Sequence, residues 1–177
     1  MEHKGFTLWF TGLACSGKSV LADAIAEELK KREMKVERLD GDIVRKSLTK
    51  DLGFSDGDRR MNIERVTFVA KLLTRNGVAV LASFISPFND IRAYSRKEIG
   101  TYILVYVKCP IEVCEQRDVK GMYAKARAGE IKNFTGIDSP FEEPDMVDII
   151  VNTSKQTVEE SKDLILKALD NMGYLPN

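Results

Sequence analysis

The stretch that decides the fold is Gly12-Leu13-Ala14-Cys15-Ser16-Gly17-Lys18-Ser19, which fits the phosphate-binding pattern G-x-x-x-x-G-K-[ST]. An apolar run at residues 6–10 precedes it, and a helical pattern follows from residue 18. Strand, glycine-rich loop and helix, in this order, form the context in which the pattern holds nucleotide phosphates. The sequence therefore predicts a site for ATP or GTP with Mg²⁺, and a chance glycine loop is the weaker interpretation.

Each fixed residue of this loop has a physical task. Gly12 and Gly17 let the backbone curl so that successive N–H groups point at an anion, and all eight residues are predicted to line the nucleotide. Lys18 is expected to reach the β- and γ-phosphates, and the Ser19 hydroxyl to ligate Mg²⁺. The remaining question is which acceptor receives the phosphate.

The composition sets limits on function. With 177 residues, 44% of them hydrophobic, the chain predicts a single domain over residues 1–177. Lys+Arg and Asp+Glu both number 27, and this neutral balance disfavours nucleic acid as a partner. No apolar run approaches the roughly 20 residues of a membrane span, so no membrane partner is expected.

Cysteine and histidine usage narrows the chemistry further. Cys15, Cys109 and Cys114 lack metal-site spacing, and residues 1–5 run straight into the first strand without room for an export signal. These features predict free thiols in a reducing, cytoplasmic environment. The single histidine, His3, disfavours a Ser–His pair or a histidine metal site.

Apolar runs alternate with amphipathic stretches along the chain. The runs cover residues 6–10, 36–39, 78–83, 102–107 and 149–151, and the helical patterns cover about 18–33, 58–76, 90–98, 111–117 and 156–172. Thr157 and Glu160 fit a capping box at the start of the last helix, and Gly173 fits its end. The alternation predicts a P-loop kinase-type α/β fold, a three-layer α/β/α arrangement with a five-stranded parallel sheet.

Residues 118–144 break the alternation. This stretch holds no strand-like run and combines several lysines and arginines with glycines and prolines. A long basic connection late in such a fold predicts a mobile lid that closes over phosphates. A solvated surface loop is the alternative.

Polar residues follow the second and third strands at the edge where the phosphate loop begins. Asp40 and Asp42 flank Gly41, so a sharp turn can present a carboxylate to Mg²⁺ or to a hydroxyl proton. Arg45 lies three residues beyond Asp42 and suits an anionic acceptor, although a helix-capping surface pair is the competing interpretation.

A second group of residues suggests the acceptor. Arg59 and Asn62 share a helix face close to Phe54, and Phe134 in the predicted lid is available to cover the other side of a ring. A ring, a cation and an amide suit an aromatic anionic ligand. A core phenylalanine with a solvated arginine explains the same residues equally well.

Taken together, these motifs resemble the adenylyl-sulfate kinase (APS kinase) family over about residues 6–153. The resemblance rests on residues 12–19, Leu-Asp-Gly-Asp at 39–42 with Arg45, and Asp-Leu-Gly-Phe-Ser at 51–55. It continues through Asp58-Arg59-x-x-Asn62-Ile63 and Ser-Phe-Ile-Ser-Pro at 83–87 to Cys-Glu-Gln-Arg-Asp at 114–118. Lys-Ala-Arg-Ala-Gly-Glu-Ile-Lys at 125–132 and Phe-Thr-Gly-Ile-Asp at 134–138 complete it and are the more specific segments.

The resemblance implies transfer of the ATP γ-phosphate to the 3′-hydroxyl of adenosine 5′-phosphosulfate (APS), giving 3′-phosphoadenosine 5′-phosphosulfate and ADP in sulfate activation. It implies Asp42 as base and Mg²⁺ organiser, supported by Asp40, and catalytic contributions from Lys18 and Ser86. It also implies a homodimer. The other residues that it assigns are Arg45, Arg59 and Asn62 for the phosphosulfate, Phe54 and Phe134 for the substrate adenine, Ile85 and Ser86 beside them, Lys120 and Lys132 for phosphates, and Arg117 for the ATP adenine.

Ser86 matches a serine often assigned as a phosphoenzyme intermediate. The sequence supplies no base dedicated to Ser86, so we expect direct in-line transfer. The family usually has Asn where Ile43 stands, a departure that removes no charged group. Two other functions stay open from sequence: a kinase for another small metabolite, and a non-catalytic ATP-binding regulatory relative.

Overall fold

A computed structural model describes residues 4–176, so His3 lies outside the described residues. Its centre is a five-stranded parallel sheet with strand order β2-β3-β1-β4-β5. The strands are β1 (Phe6–Thr11), β2 (Val36–Asp40), β3 (Ala79–Ser83), β4 (Tyr102–Lys108) and β5 (Ile149–Asn152). All five predicted strands are therefore confirmed, and their parallel pairing brings the carboxyl ends of β1, β2 and β3 to one edge.

Helices cover both faces of the sheet. They are α1 (Lys18–Lys31), α2 (Gly41–Val44), α3 (Asp56–Arg75), α4 (Asn89–Ile99), α5 (Ile111–Arg117), α6 (Met122–Arg127) and α7 (Val158–Asn171). None of the helices within residues 4–176 combines the length and the apolar character that crossing a membrane requires.

The alternation of side chains along β1 explains the three layers. Leu8 packs into one core with Ile25 of α1 and Ile165 of α7, whereas Trp9 points to the opposite core with Val66 of α3. Successive side chains of a strand face opposite sides, so a strand that is buried throughout must be covered on both. The predicted three-layer α/β/α architecture is confirmed.

Local signals place most helix ends near their predicted positions. The Thr157 hydroxyl and the Glu160 carboxylate form the predicted capping box at the start of α7, and Gly173 follows its end with φ of 74°. Two short helices, α2 and α6, were not predicted. They span 4 and 6 residues, too few for a hydrophobic period to show in the sequence.

Candidate active site

The phosphate loop connects β1 to α1 and depends on its two glycines. A Cβ on Gly12 would lie 2.5 Å from the Val107 carbonyl oxygen, so no side chain fits there. Gly17 has φ of 101°, and Cys15 adopts a left-handed φ of 59° although it is not glycine. The surrounding structure holds this curled backbone directly before the N-terminus of α1, the arrangement that binds anions.

Lys18 lies inside the loop that it is predicted to serve. Its Nζ donates to the Leu13 carbonyl oxygen at 2.5 Å, and the side chain is buried. Burial lowers the pKa of Lys18 from 10.5 to about 8, and the negative charges of Asp40 and Asp42 offset part of this shift. The ammonium therefore sits where an added phosphate charge would favour its protonated form.

The two aspartates after β2 take different positions. The Ser19 hydroxyl donates to Asp40 Oδ2 at 2.6 Å, and the Asp42 backbone N–H donates to Asp40 Oδ1 at 3.0 Å. Asp40 thus both caps α2 and meets the hydroxyl at the start of α1, with Arg38 3.7 Å away. Asp42 is exposed and pairs with Lys120.

The oxygen set at this place fits one kind of metal. Within residues 4–176 no group of three or more histidine, cysteine, aspartate or glutamate side chains is placed to hold a metal ion. Ser19 and Asp40 together offer one hydroxyl and one carboxylate. Mg²⁺ suits this set because it usually binds through one or two protein oxygens and completes its shell with water and phosphate.

The Lys120 pair joins the predicted lid to the aspartates. Lys120 lies just before α6, and its Nζ donates to Asp42 Oδ2. This hydrogen bond raises the pKa of Lys120. The candidate base and a cation of the lid are therefore already neighbours.

Arg45, Phe54 and Arg59 form a compact cluster, in which Arg45 joins the Phe54 and Arg59 that the sequence places close together. The Arg45 and Arg59 guanidinium carbons lie 4.3 and 5.6 Å from the centre of the Phe54 ring. Arg45 Nη1 donates to the Gly53 carbonyl oxygen at 2.9 Å, and Arg59 Nε to that of Phe54 at 3.1 Å. Burial lowers the pKa of both arginines, and Arg45 adds to the effect on Arg59. Two cations held this close favour an anion between them.

The cluster is open on one side. Phe54 is 53% exposed, so its ring is available for stacking, and it is therefore not the core phenylalanine of the alternative interpretation. Asn62 is 5% exposed, and its Oδ1 accepts the Thr49 hydroxyl at 2.7 Å. The Asn62 amide is thus fixed in orientation on α3, the helix that also carries Arg59.

Phe134 is tied to this cluster through Arg59. Arg59 Nη2 donates to the carbonyl oxygen of Asn133, the residue before Phe134, and the Phe134 ring packs edge-on against Tyr123 at 4.9 Å. Arg59 therefore bridges the segments that carry the two candidate stacking rings. Lys132, in the same connection, is exposed.

Ser86 is buried next to Trp9 of β1. It is 2% exposed, has φ of 46°, and its Oγ accepts the Trp9 indole N–H at 2.9 Å. The preceding residue, Ile85, is held by its carbonyl oxygen, which accepts the Thr11 hydroxyl at 2.6 Å. A backbone this strained is stable only where its surroundings determine it.

Arg92 is a site-supporting residue that the motifs do not indicate. It is buried, donates to the Ser86 carbonyl oxygen through Nη1, and donates to that of Glu142 through Nη2 at 2.6 Å. It thereby fastens the loop after β3 to the C-terminal end of residues 118–144. Arg92 belongs to none of the sequence motifs, and its role is visible only in the contacts that it makes from α4.

Arg117 lies beside the phosphate loop, and its contact with the ATP adenine, which the resemblance implies, stays a prediction. Its Nη2 donates to the Thr153 carbonyl oxygen at 2.6 Å, and its Nη1 lies 3.4 Å from that of Cys15. Between this loop and the predicted lid runs an open groove of about 550 Å³. The groove is lined by Leu13 and residues 136–141. Cys15, Cys109 and Cys114, all within the described residues, are unpaired as predicted.

Comparison with known proteins identifies one family. A sequence model of the adenylylsulphate kinase family matches residues 4–152. A probable adenylyl-sulfate kinase of Pseudomonas aeruginosa is 59% identical over 94% of this chain and 78% of its own length. An adenylyl-sulfate kinase of Halothermothrix orenii is 54% identical over 98% of this chain and 94% of its own.

A solved structure extends the agreement to three dimensions. The Mycobacterium tuberculosis APS kinase CysC, in complex with AMPPNP and APS, superposes with a TM-score of 0.92 at 41% identity. The match covers 95% of this chain and 99% of that structure. The family model, the sequence relatives and the solved structure thus agree with one another, and this chain belongs to the adenylylsulphate kinase family.

Proposed function

We infer that this chain is an adenylyl-sulfate kinase, which transfers the γ-phosphate of ATP to the 3′-hydroxyl of APS and releases 3′-phosphoadenosine 5′-phosphosulfate and ADP. The observation that carries the inference is a pairing of two sites at one sheet edge. A phosphate loop meets a separate cluster of two arginines around an exposed ring, formed by Arg45, Phe54 and Arg59. A small neutral or sugar-acid acceptor has no aromatic group that could stack on that ring.

On the donor side, the loop N–H groups and Lys18 hold the β- and γ-phosphates. Ser19 and Asp40 would hold Mg²⁺, with Asp42 close by, and the ion would neutralise charge that develops on the transferred group. The Arg117 guanidinium, fixed at Thr153, lies where it can cover the ATP adenine. The remaining loop residues contribute backbone contacts.

On the acceptor side, Arg45 and Arg59 bind the phosphosulfate and Asn62 orients it. Phe54 and Phe134 stack on the two faces of the substrate adenine, because Arg59 holds both segments together. Ile85 and Ser86 line the floor next to β1. This arrangement directs the ribose toward the aspartates after β2.

Asp42 is the proposed general base for the 3′-hydroxyl. It is the exposed aspartate of the pair, whereas Asp40 is committed to Ser19 and to the cap of α2. Its carboxylate accepts a hydrogen bond from Lys120 of the proposed lid, so the base and this cation lie together at the start of the reaction. As the proton moves to Asp42, Lys120 is free to turn toward the phosphates.

Direct transfer between the two nucleotides is the proposed path. The hydrogen bond given to Ser86 Oγ comes from the Trp9 N–H, which is a donor and cannot take a proton. We assign Ser86 to shaping the acceptor floor.

Residues 118–144 are proposed to move as a lid over both nucleotides, bringing Lys120 and Lys132 to the phosphates. A single kinase domain over residues 1–177, a homodimeric state and a cytoplasmic location remain predictions. They await size measurement in solution and localisation.

The test is ADP release from Mg·ATP with APS as acceptor, run beside AMP, shikimate, gluconate and no acceptor. APS alone should stimulate release, and the product should carry its new phosphate at the 3′ position. Stimulation by a different acceptor would keep the fold and overturn the assigned pocket. AMPPNP binding without stimulated turnover would favour a regulatory relative.

A further inference from the structure

Thr153 contacts the phosphate loop at a backbone carbonyl group, not at the N–H groups that would face a nucleotide. Its hydroxyl donates to the Ser16 carbonyl oxygen at 2.7 Å and accepts from Arg117 Nη1 at 3.2 Å. Its own N–H donates to the Lys108 carbonyl oxygen at 3.1 Å, which continues the pairing of β5 with β4. One hydroxyl therefore connects the sheet to the loop and to the last residue of α5.

The loop needs such a contact for a physical reason. A loop that turns its N–H groups inward to an anion turns carbonyl groups such as that of Ser16 outward, and these require donors of their own. The Cys15 backbone is left-handed at this crest, and the conformation costs free energy unless neighbouring groups enforce it. Thr153 and Arg117 supply the donors at this crest.

The side chain of Thr153 also packs against the loop. A Cβ built on Gly17 would lie 3.5 Å from Thr153 Cγ2, so the methyl group faces the turn that begins α1. Hydroxyl and methyl thus meet two successive residues of the loop. A serine keeps the first contact and a valine keeps the second.

We propose that Thr153 is a positioning residue for nucleotide binding: its hydroxyl holds the Cys15–Ser16 crest in the phosphate-binding conformation and fixes Arg117 next to it. Only one part of its test, the KM values for ATP and APS, rests on the proposed function. Without the hydroxyl, a nucleotide must order the crest as it binds, and part of its affinity is lost. The acceptor cluster lies on other elements, so affinity for APS is unaffected.

The experiment compares Thr153→Val, which keeps the shape but removes the hydroxyl, with Thr153→Ser, which keeps the hydroxyl. Ser154→Ala is the matched control, because that hydroxyl donates to Asn152 within its own turn. AMPPNP affinity by calorimetry is measured on each full-length protein, with the KM values for ATP and for APS and the unfolding temperature. A stable melting transition shows that each variant folds.

Thr153→Val should weaken AMPPNP binding about fivefold to tenfold, the cost of one hydrogen bond and of added disorder in the loop. KM for ATP should rise in parallel, with KM for APS unchanged, and Thr153→Ser should stay within about twofold of the parent protein. Unchanged AMPPNP affinity in the valine variant would overturn the proposal. So would equal losses in valine and serine variants, or a common rise of both KM values with a lowered melting temperature.

The two proposals fail in different ways. If the parent protein does not phosphorylate APS, the proposed function fails, and the AMPPNP affinities still decide the role of Thr153. A double-mutant cycle with Arg117→Met adds a further test, because two residues that act through one contact lose less together than the sum of their separate losses.

Discussion

The only tryptophan of the chain, Trp9, donates its indole N–H to Ser86 Oγ at 2.9 Å across the buried face of the sheet. Ser86 is held there in a left-handed conformation by this bond and by Arg92, which donates to its carbonyl oxygen. A hydroxyl engaged by a donor and lacking a base is poorly activated as a nucleophile. The relationship therefore bears on the path of the phosphate.

Ser86→Ala should leave a working enzyme. We expect kcat to fall by no more than about tenfold, because the floor is reshaped while the direct path remains. Incubation of the parent protein with γ-labelled ATP should leave no label on the protein. Ser83→Ala, at the end of β3 and three residues before Ser86, is the control. A labelled Ser86 together with complete loss of turnover in the alanine variant would contradict direct transfer.

Asp42→Asn and Asp40→Asn should differ in what they disturb. Asp42→Asn should lower kcat by about 10²–10⁴-fold, the usual contribution of a general base, with little change in AMPPNP affinity. Asp40→Asn should raise the Mg²⁺ concentration needed for half-maximal rate, because it removes the carboxylate beside Ser19. Steady-state rates over a Mg²⁺ titration measure both effects.

The control for the two aspartates is Asp51→Asn, since that exposed carboxylate pairs with Arg65 away from the phosphate loop. It should leave kcat and the Mg²⁺ response within about twofold of the parent. Identical phenotypes in the Asp40 and Asp42 variants would show that the two carboxylates act as one unit, against the separation proposed above.

Phe54→Leu should weaken APS selectively. Loss of one stacking face costs about 1–3 kcal/mol for a base on an aromatic ring, so KM for APS should rise roughly tenfold. KM for ATP should not change. Phe68→Leu, which alters a 63% exposed ring on α3, is the matched control. A parallel rise in both KM values would place the ring outside the acceptor pocket.

Lys18 makes nucleotide binding pH-dependent. Its pKa of about 8 in the free protein lies below the ordinary 10.5, whereas bound phosphates favour the charged form. Binding at pH 9 should therefore take up about one proton, and affinity should fall as pH rises through 8. Calorimetry in buffers of different ionisation enthalpy counts the protons.

The lowered pKa of Lys18 also makes the free energy of unfolding depend on pH. The unfolded chain keeps the Lys18 proton up to its ordinary pKa, so between about pH 8 and 10.5 it binds more protons than the folded chain. The contribution of Lys18 to the free energy of unfolding therefore rises with pH in this window. Lys18→Arg does not titrate there, and it should remove both the proton uptake and this rise.

Much of the fold was predictable because its signals are local and repeated. Buried parallel strands appear as apolar runs, and a motif with fixed glycines places the first loop. The convergence of Asp40, Asp42 and residues 83–87 at one edge followed from parallel pairing alone. Helices α2 and α6 escaped prediction because a turn or two of helix carries no period.

The supporting residues of the site could not be predicted for another reason. Thr153 and Arg92 act through contacts with residues far away in the chain, and nothing in their own neighbourhood distinguishes them from ordinary surface or helix positions. The choice of Asp40 as the carboxylate beside Ser19 also needed coordinates, because the resemblance implied Asp42 as both base and Mg²⁺ organiser, with Asp40 in support.

The strand order has a consequence for how the chain is made. β1 pairs with β3 and β4, and β2 joins the sheet only through β3. Until the ribosome has added residues 79–83, β1 and β2 therefore have no native partner strand. Such non-local pairing slows folding and leaves apolar strands exposed to aggregation and to chaperones. The strand that carries the phosphate loop is thus synthesised first, yet it must wait for β3 before it can enter the sheet.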